Sequence, residues 1–360
     1  MKTTSARRQD PDETAPGAER FAPACGTEGE RFAGVTFAQI EPVGQCNLRC
    51  QMCPIQFRRD GPPHGPLAFM EFETFCRLLA QMPRLETLHL QGMGEPLMHP
   101  RFFDMVRHAA ARGVRVSTNT NLTLLSERRA RECLASGLAE LHASLDGATP
   151  EVYERIRVRA KFTRAYRHLE TLLRERREAG AAHPRVRLVA VVMRTNLHEL
   201  PALVELAHGV GVDSLFVQHL CHDFGEEALP ERYRPMRAFV EAQTLLNEDP
   251  ERVARYFARA RARAQAFGLE LRLPRTRPRA APPAAPRCDW PWRGPYISYR
   301  GEAMPCCMVG TPDRVSLGDM AREGVEAVWE GEAYRGFRAA LASPEPPSVC
   351  RSCAVYQGVF

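Results

Sequence analysis

The chain has 360 residues, 44% of them apolar and 26% charged, a balance that suits a soluble globular protein with a full core. No apolar run approaches the roughly 20 residues that cross a bilayer, and the N-terminus lacks the apolar stretch of an export signal, so the cytoplasm is the expected compartment. The formal charge of +6 argues little for nucleic acid, because of 49 basic residues only Lys2 and Lys161 are lysine, a bias of composition and not a phosphate-binding face.

Residues 1–33 are rich in Pro, Gly and charge without periodicity, and are expected to be disordered. A β/α beat then sets in. Val35–Glu41 reads as a strand, Glu71–Met82 as an amphipathic helix, Glu86–Gln91 as a strand, Pro100–Arg112 as a helix, and Val114–Asn119 as a strand after the helix-ending Gly113. Ser126 opens a helix that ends near Gly137, ahead of the strand Glu140–Leu145. Thr163–Ala179 is a long helix, Val186–Met193 a strand, His198–His208 a helix and Asp213–His219 a strand. Arg155 to Arg177 mixes arginine with glutamate and reads as a solvated helix face. Six strands alternating with helices predict parallel α/β units with right-handed crossovers over residues 34–225, as an open sheet or a partial barrel. From Arg232 to about Phe267 the pattern is purely helical, and Pro274–Pro286 is an extended Pro-rich run, so residues 226–286 form a connector. Residues 287–360 form a small Cys-rich unit, with a hairpin of Tyr296–Tyr299 and Glu302–Pro305 around Gly301 and short helices near Val325–Trp329 and Tyr334–Ala342.

Twelve cysteines are many for a reducing compartment, where they point to metal or redox chemistry. Cys25, Cys76, Cys133 and Cys221 are scattered and read as small buried hydrophobes. Cys46, Cys50 and Cys53 form a C-x3-C-x2-C run in the loop after the first strand. Close thiolates are soft ligands for an iron–sulfur cluster or for zinc. Zinc needs a fourth ligand, for which His64 is the candidate, across a loop with three prolines. A 4Fe–4S cluster held by three cysteines instead leaves one iron open to a small molecule.

Further motifs fall at strand ends. Gly92-Met93-Gly94-Glu95-Pro96 follows the second strand, Thr118-Asn119 closes the third, and Ser144-Leu145-Asp146-Gly147 closes the fourth. Ligand sites of parallel β/α folds gather at these carboxyl ends. With the cysteine run ahead of them, these motifs resemble those of the radical SAM superfamily. The resemblance implies a partial (β/α)6 TIM-like barrel, a 4Fe–4S cluster on Cys46, Cys50 and Cys53, and S-adenosylmethionine chelated to the open iron. An electron from an external donor of flavodoxin or ferredoxin type would then cleave S-adenosylmethionine to a 5′-deoxyadenosyl radical. By the same resemblance Met52 packs near the adenine, Gly92 and Gly94 let the backbone approach the ligand, and Glu95 accepts from the methionyl amine. Asn119 and Ser144 contact methionyl or ribose groups, and Arg157 pairs with the carboxylate. Asp146, before Gly147, reads foremost as a turn residue. Asn196 is a further candidate, and helix capping explains it as well.

In the C-terminal unit Cys288, Gly301-x4-Cys306 and Cys350-x2-Cys353 resemble the auxiliary-cluster domain called SPASM, in its shorter twitch form with one 4Fe–4S cluster. Cys307 directly follows Cys306. Neighbouring side chains on a strand diverge, so Cys307 is assigned to packing. An auxiliary cluster favours a net oxidation, in which it accepts the electron left on a substrate radical. Only about 33 low-complexity residues precede the first strand, too few for a peptide-gripping module, which favours a small polar metabolite such as a sugar or aminocyclitol as substrate. The alternatives are a peptide- or protein-modifying maturase and a redox-neutral epimerase or eliminase. Gln218-His219-Leu220-Cys221-His222-Asp223 lies at the barrel mouth, and His219, His222 or Asp223 is the candidate base.

Overall fold

The computed structural model of the protein describes residues 34–58, 67–220, 224–277 and 287–359. The tail 1–33, His64, Cys25, Cys221, His222 and Asp223 lie outside the described residues. The strands are β1 (Phe37–Ile40), β2 (Arg49–Cys50), β3 (Thr87–Leu90), β4 (Arg115–Thr120), β5 (Glu140–Ser144), β6 (Arg157–Val158), β7 (Arg185–Val192), β8 (Ser214–His219), β9 (Glu270–Arg272), β10 (Tyr296–Ile297) and β11 (Ala303–Met304). Nine of them form one sheet in the order β11-β10-β1-β3-β4-β5-β7-β8-β9, parallel throughout except between β10 and β11. β2 and β6 make a separate two-residue antiparallel ladder.

Side-chain alternation explains why the sheet curls around a cavity. On β7 the outward Val186, Leu188, Ala190 and Val192 are all buried under the helical layer. The inward positions of β1, β3, β4, β5 and β8 carry Gln39, His89, Asn119, His142 and Gln218, which line the interior. Packed barrels fill these positions with branched aliphatics. Here they are polar, so a chamber stays open.

The helical layer comprises α1 (Phe72–Ala80), α2 (Phe102–Ala110), α3 (Glu127–Ala135), α4 (Pro150–Ile156), α5 (Phe162–Glu178) and α6 (Leu200–Val210), followed by α7 (Arg234–Gln243) and α8 (Pro250–Phe267). α5 buries Ala165, Leu169, Leu172 and Leu173 as one stripe and leaves Arg164, Arg167, Arg174 and Arg177 facing water, while Arg176 is half-buried against Asp213. α6 ends where Gly211 takes a left-handed φ of 83°.

Two expectations are corrected. The stretch from Arg232 to Phe267 is not one helical run: it breaks at residues 244–249, where the Asp249 carboxylate caps α8 by accepting from the N–H groups of Glu251 and Arg252. Pro250 then occupies the first turn, where its missing N–H costs nothing. Nor is the predicted hairpin a detached unit. β10 pairs with β1, Gln39 opposite Tyr296, so the Cys-rich segment extends the barrel sheet itself. Among the described residues no helix is long and apolar enough to cross a membrane.

Candidate active site

The loop after β1 carries Cys46, Cys50 and Cys53, and all three thiols open into a cavity of about 610 Å³ inside the barrel. None is in a disulfide. The β2–β6 ladder fixes the loop, setting Cys50 opposite Arg157, while the Gln51 N–H donates to Ile156 O at 2.9 Å. Cys46 Sγ accepts from the Leu48 N–H at 3.4 Å and lies 3.7 Å from Asn121 Nδ2, and Arg157 Nη1 stands 4.0 Å from Cys50 Sγ. Burial, then Glu95 and Cys50, push the Cys46 thiol up; burial, partly offset by Arg157, pushes Cys50 up to about 12; burial likewise raises Cys53. Three thiols, one buried and two half-buried, that do not ionise readily alone and have N–H donors beside them suit a soft polynuclear metal group whose positive charge stabilises the thiolates.

Arg157 does not stand free for a ligand carboxylate. Its Nε lies 2.8 Å from Asp146 Oδ2, and Asp146 Oδ1 accepts from the Val191 N–H at 2.8 Å. Burial opposes the Arg157 charge, but Asp146 and then Cys50 more than restore it. A relay thus runs from β7 through Asp146 and Arg157 to Cys50. Asp146 is therefore more than a turn residue. Glu199, unremarked in the sequence, holds the same turn by accepting from the Ala148 N–H at 2.8 Å.

The glycine-rich turn serves the protein's own packing. A Cβ on Gly92 would lie 2.3 Å from Glu41 Cγ, and one on Gly94 would lie 2.4 Å from Val43 O and 2.5 Å from Gln45 O. Glycine is required because the turn packs against the cysteine loop. Glu95 is buried in the cavity wall and accepts from Thr120 Oγ1 at 2.8 Å, the Asn121 N–H at 2.7 Å and the Leu97 N–H at 3.2 Å. Burial raises its carboxyl, and those donors hold it down. Asn119, Ser144 and Met52 all line the cavity, with Asn119 Oδ1 2.8 Å from His142 Nδ1. Asn196 is buried and spent on backbone: its Nδ2 donates to Asp146 O and Val191 O, and its Oδ1 accepts from the Met193 N–H. It pins the end of β7 and is not part of the cavity lining.

Sequence reasoning missed Glu41. Arg58 grips it through both oxygens at 2.9 Å, Tyr296 Oη donates at 2.7 Å, and the pair is fully buried. The residue joins β1, the end of the cysteine loop and the C-terminal hairpin. The cavity histidines His89 and His142 were missed too; their rings lie 5.6 Å apart, and His89 Nδ1 lies 2.8 Å from Ser117 Oγ. Of the candidate bases, His219 lines the cavity with Nε2 donating to Arg275 O at 2.7 Å, and burial lowers its pKa.

In the second thiol group, Cys288 is pushed up by burial and then by Cys306 and Cys353, which sets these three side by side. Cys350 precedes Cys353 by one turn, and its carbonyl accepts the Cys353 N–H at 3.2 Å. Cys288, Cys306 and Cys353, with Cys350 beside them along the chain, have the soft donor chemistry of an iron–sulfur site. Cys306 turns toward this group and Cys307 turns away, but not into packing. Beyond β11 the far side is the barrel cavity, which Cys307 lines near Tyr296.

Residues 40–207 match the family model of the radical SAM superfamily, and residues 288–354 match that of an iron-sulfur cluster-binding domain, SPASM. The tungsten-containing aldehyde ferredoxin oxidoreductase cofactor-modifying protein of Pyrococcus furiosus is 31% identical over 51% of this chain and 51% of its own length. PqqA peptide cyclase of Ruegeria pomeroyi is 27% identical over 87% of this chain and 78% of its own. The chain spans about half the length of several of the curated relatives it matches. The crystal structure of Streptococcus suis SuiB bound to precursor peptide SuiA shares the fold, with a TM-score of 0.64 at 13% identity over 90% of this chain and 71% of that one.

Proposed function

Because the chain is a radical SAM enzyme with a C-terminal SPASM iron–sulfur domain, we propose that it modifies a peptide. The observation that carries this reading is the alignment with PqqA peptide cyclase, which runs over 87% of this chain. It favours a peptide over the small polar metabolite expected from the sequence.

Cys46, Cys50 and Cys53 would hold one 4Fe–4S cluster, and Cys288, Cys306, Cys350 and Cys353 an auxiliary one. When bound, the first cluster and S-adenosylmethionine supply a 5′-deoxyadenosyl radical that takes a hydrogen atom from the substrate. The chain's own residues do the rest. Glu95, Asn119 and Ser144 shape the wall where S-adenosylmethionine would lie, and the buried Glu41–Arg58 pair keeps the cysteine loop against β1. His219, neutral because burial lowers its pKa, is the proton acceptor within the described wall.

The test uses deuterium as a label. Cells grown in heavy water yield an extract that is separated into a peptide fraction and a small-metabolite fraction. Each is incubated anaerobically with reconstituted enzyme and unlabelled S-adenosylmethionine. Deuterated 5′-deoxyadenosine should arise from the peptide fraction and vanish after protease treatment of that fraction. Transfer from the protease-resistant metabolite fraction alone would return the reading to small-molecule oxidation.

A further inference from the structure

Asn119 and His142 are direct cross-strand partners on the inner faces of β4 and β5, and both line the cavity. Facing residues of neighbouring strands stand close enough for their side chains to meet. Here His142 Nδ1 donates to Asn119 Oδ1 at 2.8 Å, while the other ring nitrogen, Nε2, lies 3.3 Å from Glu140 Oε2. Glu140 is two residues before His142 on β5, so strand alternation puts it on the same face. The result is a row of three groups, carboxylate, imidazole and amide, with the amide at the cavity.

The chemistry of the row fixes its direction. Glu140 stays a carboxylate, because the hydrogen bond from His142, and after it Arg115 and Arg187, hold it down to about 2 against the opposing effect of burial. A carboxylate only accepts, and the Asn119 carbonyl oxygen only accepts, so both ring nitrogens of His142 donate. His89 on β3, its ring 5.6 Å from that of His142, is kept neutral by burial and then by His142. Arg187, opposite His142 on β7, acts on the same Glu140. An asparagine amide turns readily about its last torsion and offers an acceptor at one end and two donors at the other. With Oδ1 taken by His142, the donor end is left over. Among the described residues Asn119 Nδ2 has no hydrogen-bond partner.

We propose that His142, braced by Glu140, is a positioning residue: it holds Asn119 by the carbonyl and so turns the amide N–H2 group toward an acceptor oxygen of S-adenosylmethionine. The inference is independent of the peptide reading. It rests on S-adenosylmethionine lying against Asn119, and it adds which end of the amide meets the ligand and what sets that end.

Two conservative substitutions of His142 separate its two hydrogen bonds. His142→Asn puts an amide nitrogen where Nδ1 stands, which keeps the bond to Asn119 and gives up Glu140. His142→Gln reaches to where Nε2 stands, which keeps Glu140 and releases Asn119. Binding of S-adenosylmethionine is measured by anaerobic calorimetry on the reconstituted holoenzyme without reductant, after iron content has shown equal loading. Kd should rise about fivefold to tenfold in His142→Gln and stay within about twofold in His142→Asn. In an Asn119→Ala background His142→Gln should change Kd by less than about twofold, because the histidine then has nothing to position. Asn119→Asp keeps the acceptor for His142 but removes the donor, and it should weaken binding at least as much as Asn119→Ala. Equal affinities of the two His142 variants, an additive double variant, or undiminished binding by Asn119→Asp would each overturn the proposal while Asn119→Ala still weakens binding. If Asn119→Ala itself binds as the wild type does, S-adenosylmethionine does not lie against Asn119, and the proposal falls with that placement.

Discussion

Glu95 accepts from Leu97, Thr120 and Asn121 before any ligand arrives, so its truncation has two separable effects. Glu95→Ala strands those buried donors at a cost of about 1–3 kcal/mol in stability. A denaturant titration of the cluster-free protein should show that loss, and weaker S-adenosylmethionine binding should appear separately in the reconstituted enzyme. Arg157 offers a cleaner electrostatic test. Its positive charge 4.0 Å from Cys50 Sγ favours the more negative, reduced form of whatever that thiolate ligates. Arg157→Gln should move the reduction potential of the first cluster to more negative values by on the order of tens of millivolts, read by a potentiometric titration followed by EPR. Asp146→Asn, which loosens the guanidinium without deleting it, should shift the potential less. An unchanged potential in both variants would refute the relay.

At the scale of elements, six of the parallel strands were legible because their outward apolar positions alternate with inward polar ones. β9 was not: Glu270-Leu271-Arg272 is three residues long, has two charged members and runs into a proline. The break between α7 and α8 had a visible signal in Asp249-Pro250, an N-cap followed by a first-turn proline, which the apolar periodicity on either side masked. The cysteine run and the strand-end motifs were readable as local patterns. Glu41, His89 and the orientation of Cys307 were not, since each depends on partners far away in sequence. The glycine-rich turn was recognised, but its tightness comes from residues 41–45. Gly94→Ala puts a methyl group against two backbone oxygens that cannot rotate away. It should displace the cysteine loop and leave about four of about eight irons per chain after reconstitution, whereas the second cluster should persist. Full iron loading in this variant would show that the loop tolerates the shift.

Across the whole molecule, the polar chamber makes stability depend on acidity. Burial, followed by His142, lowers the His89 pKa to about 3, so the folded protein keeps this ring neutral. An unfolded histidine titrates near 6.5. The stabilisation is therefore fully present above that value and is lost as pH falls from about 6.5 toward about 3, by up to about 1.4 kcal/mol per pH unit. His89→Gln should flatten this part of the stability profile, as measured by urea unfolding at pH 7 and pH 5. The same steepness in the variant would assign the acid sensitivity elsewhere.

The pairing of Gln39 with Tyr296 also has a consequence for biogenesis. A ribosome that has just completed β1 must make more than 250 further residues before β1 gains its second neighbour. In that interval β1 presents an unsatisfied edge, a template for another chain. Long-range closure of this kind slows folding, and the nascent protein stays vulnerable until the last strands are released. A chain stopped after residue 286 reproduces that interval permanently. It should elute from size exclusion as aggregates, where the full chain gives a defined species, and it should recover when residues 287–360 are supplied as a separate polypeptide during refolding. A truncated chain that stays monodisperse would mean that β1 is shielded some other way. Otherwise the C-terminal segment acts on its own chain as an intramolecular chaperone.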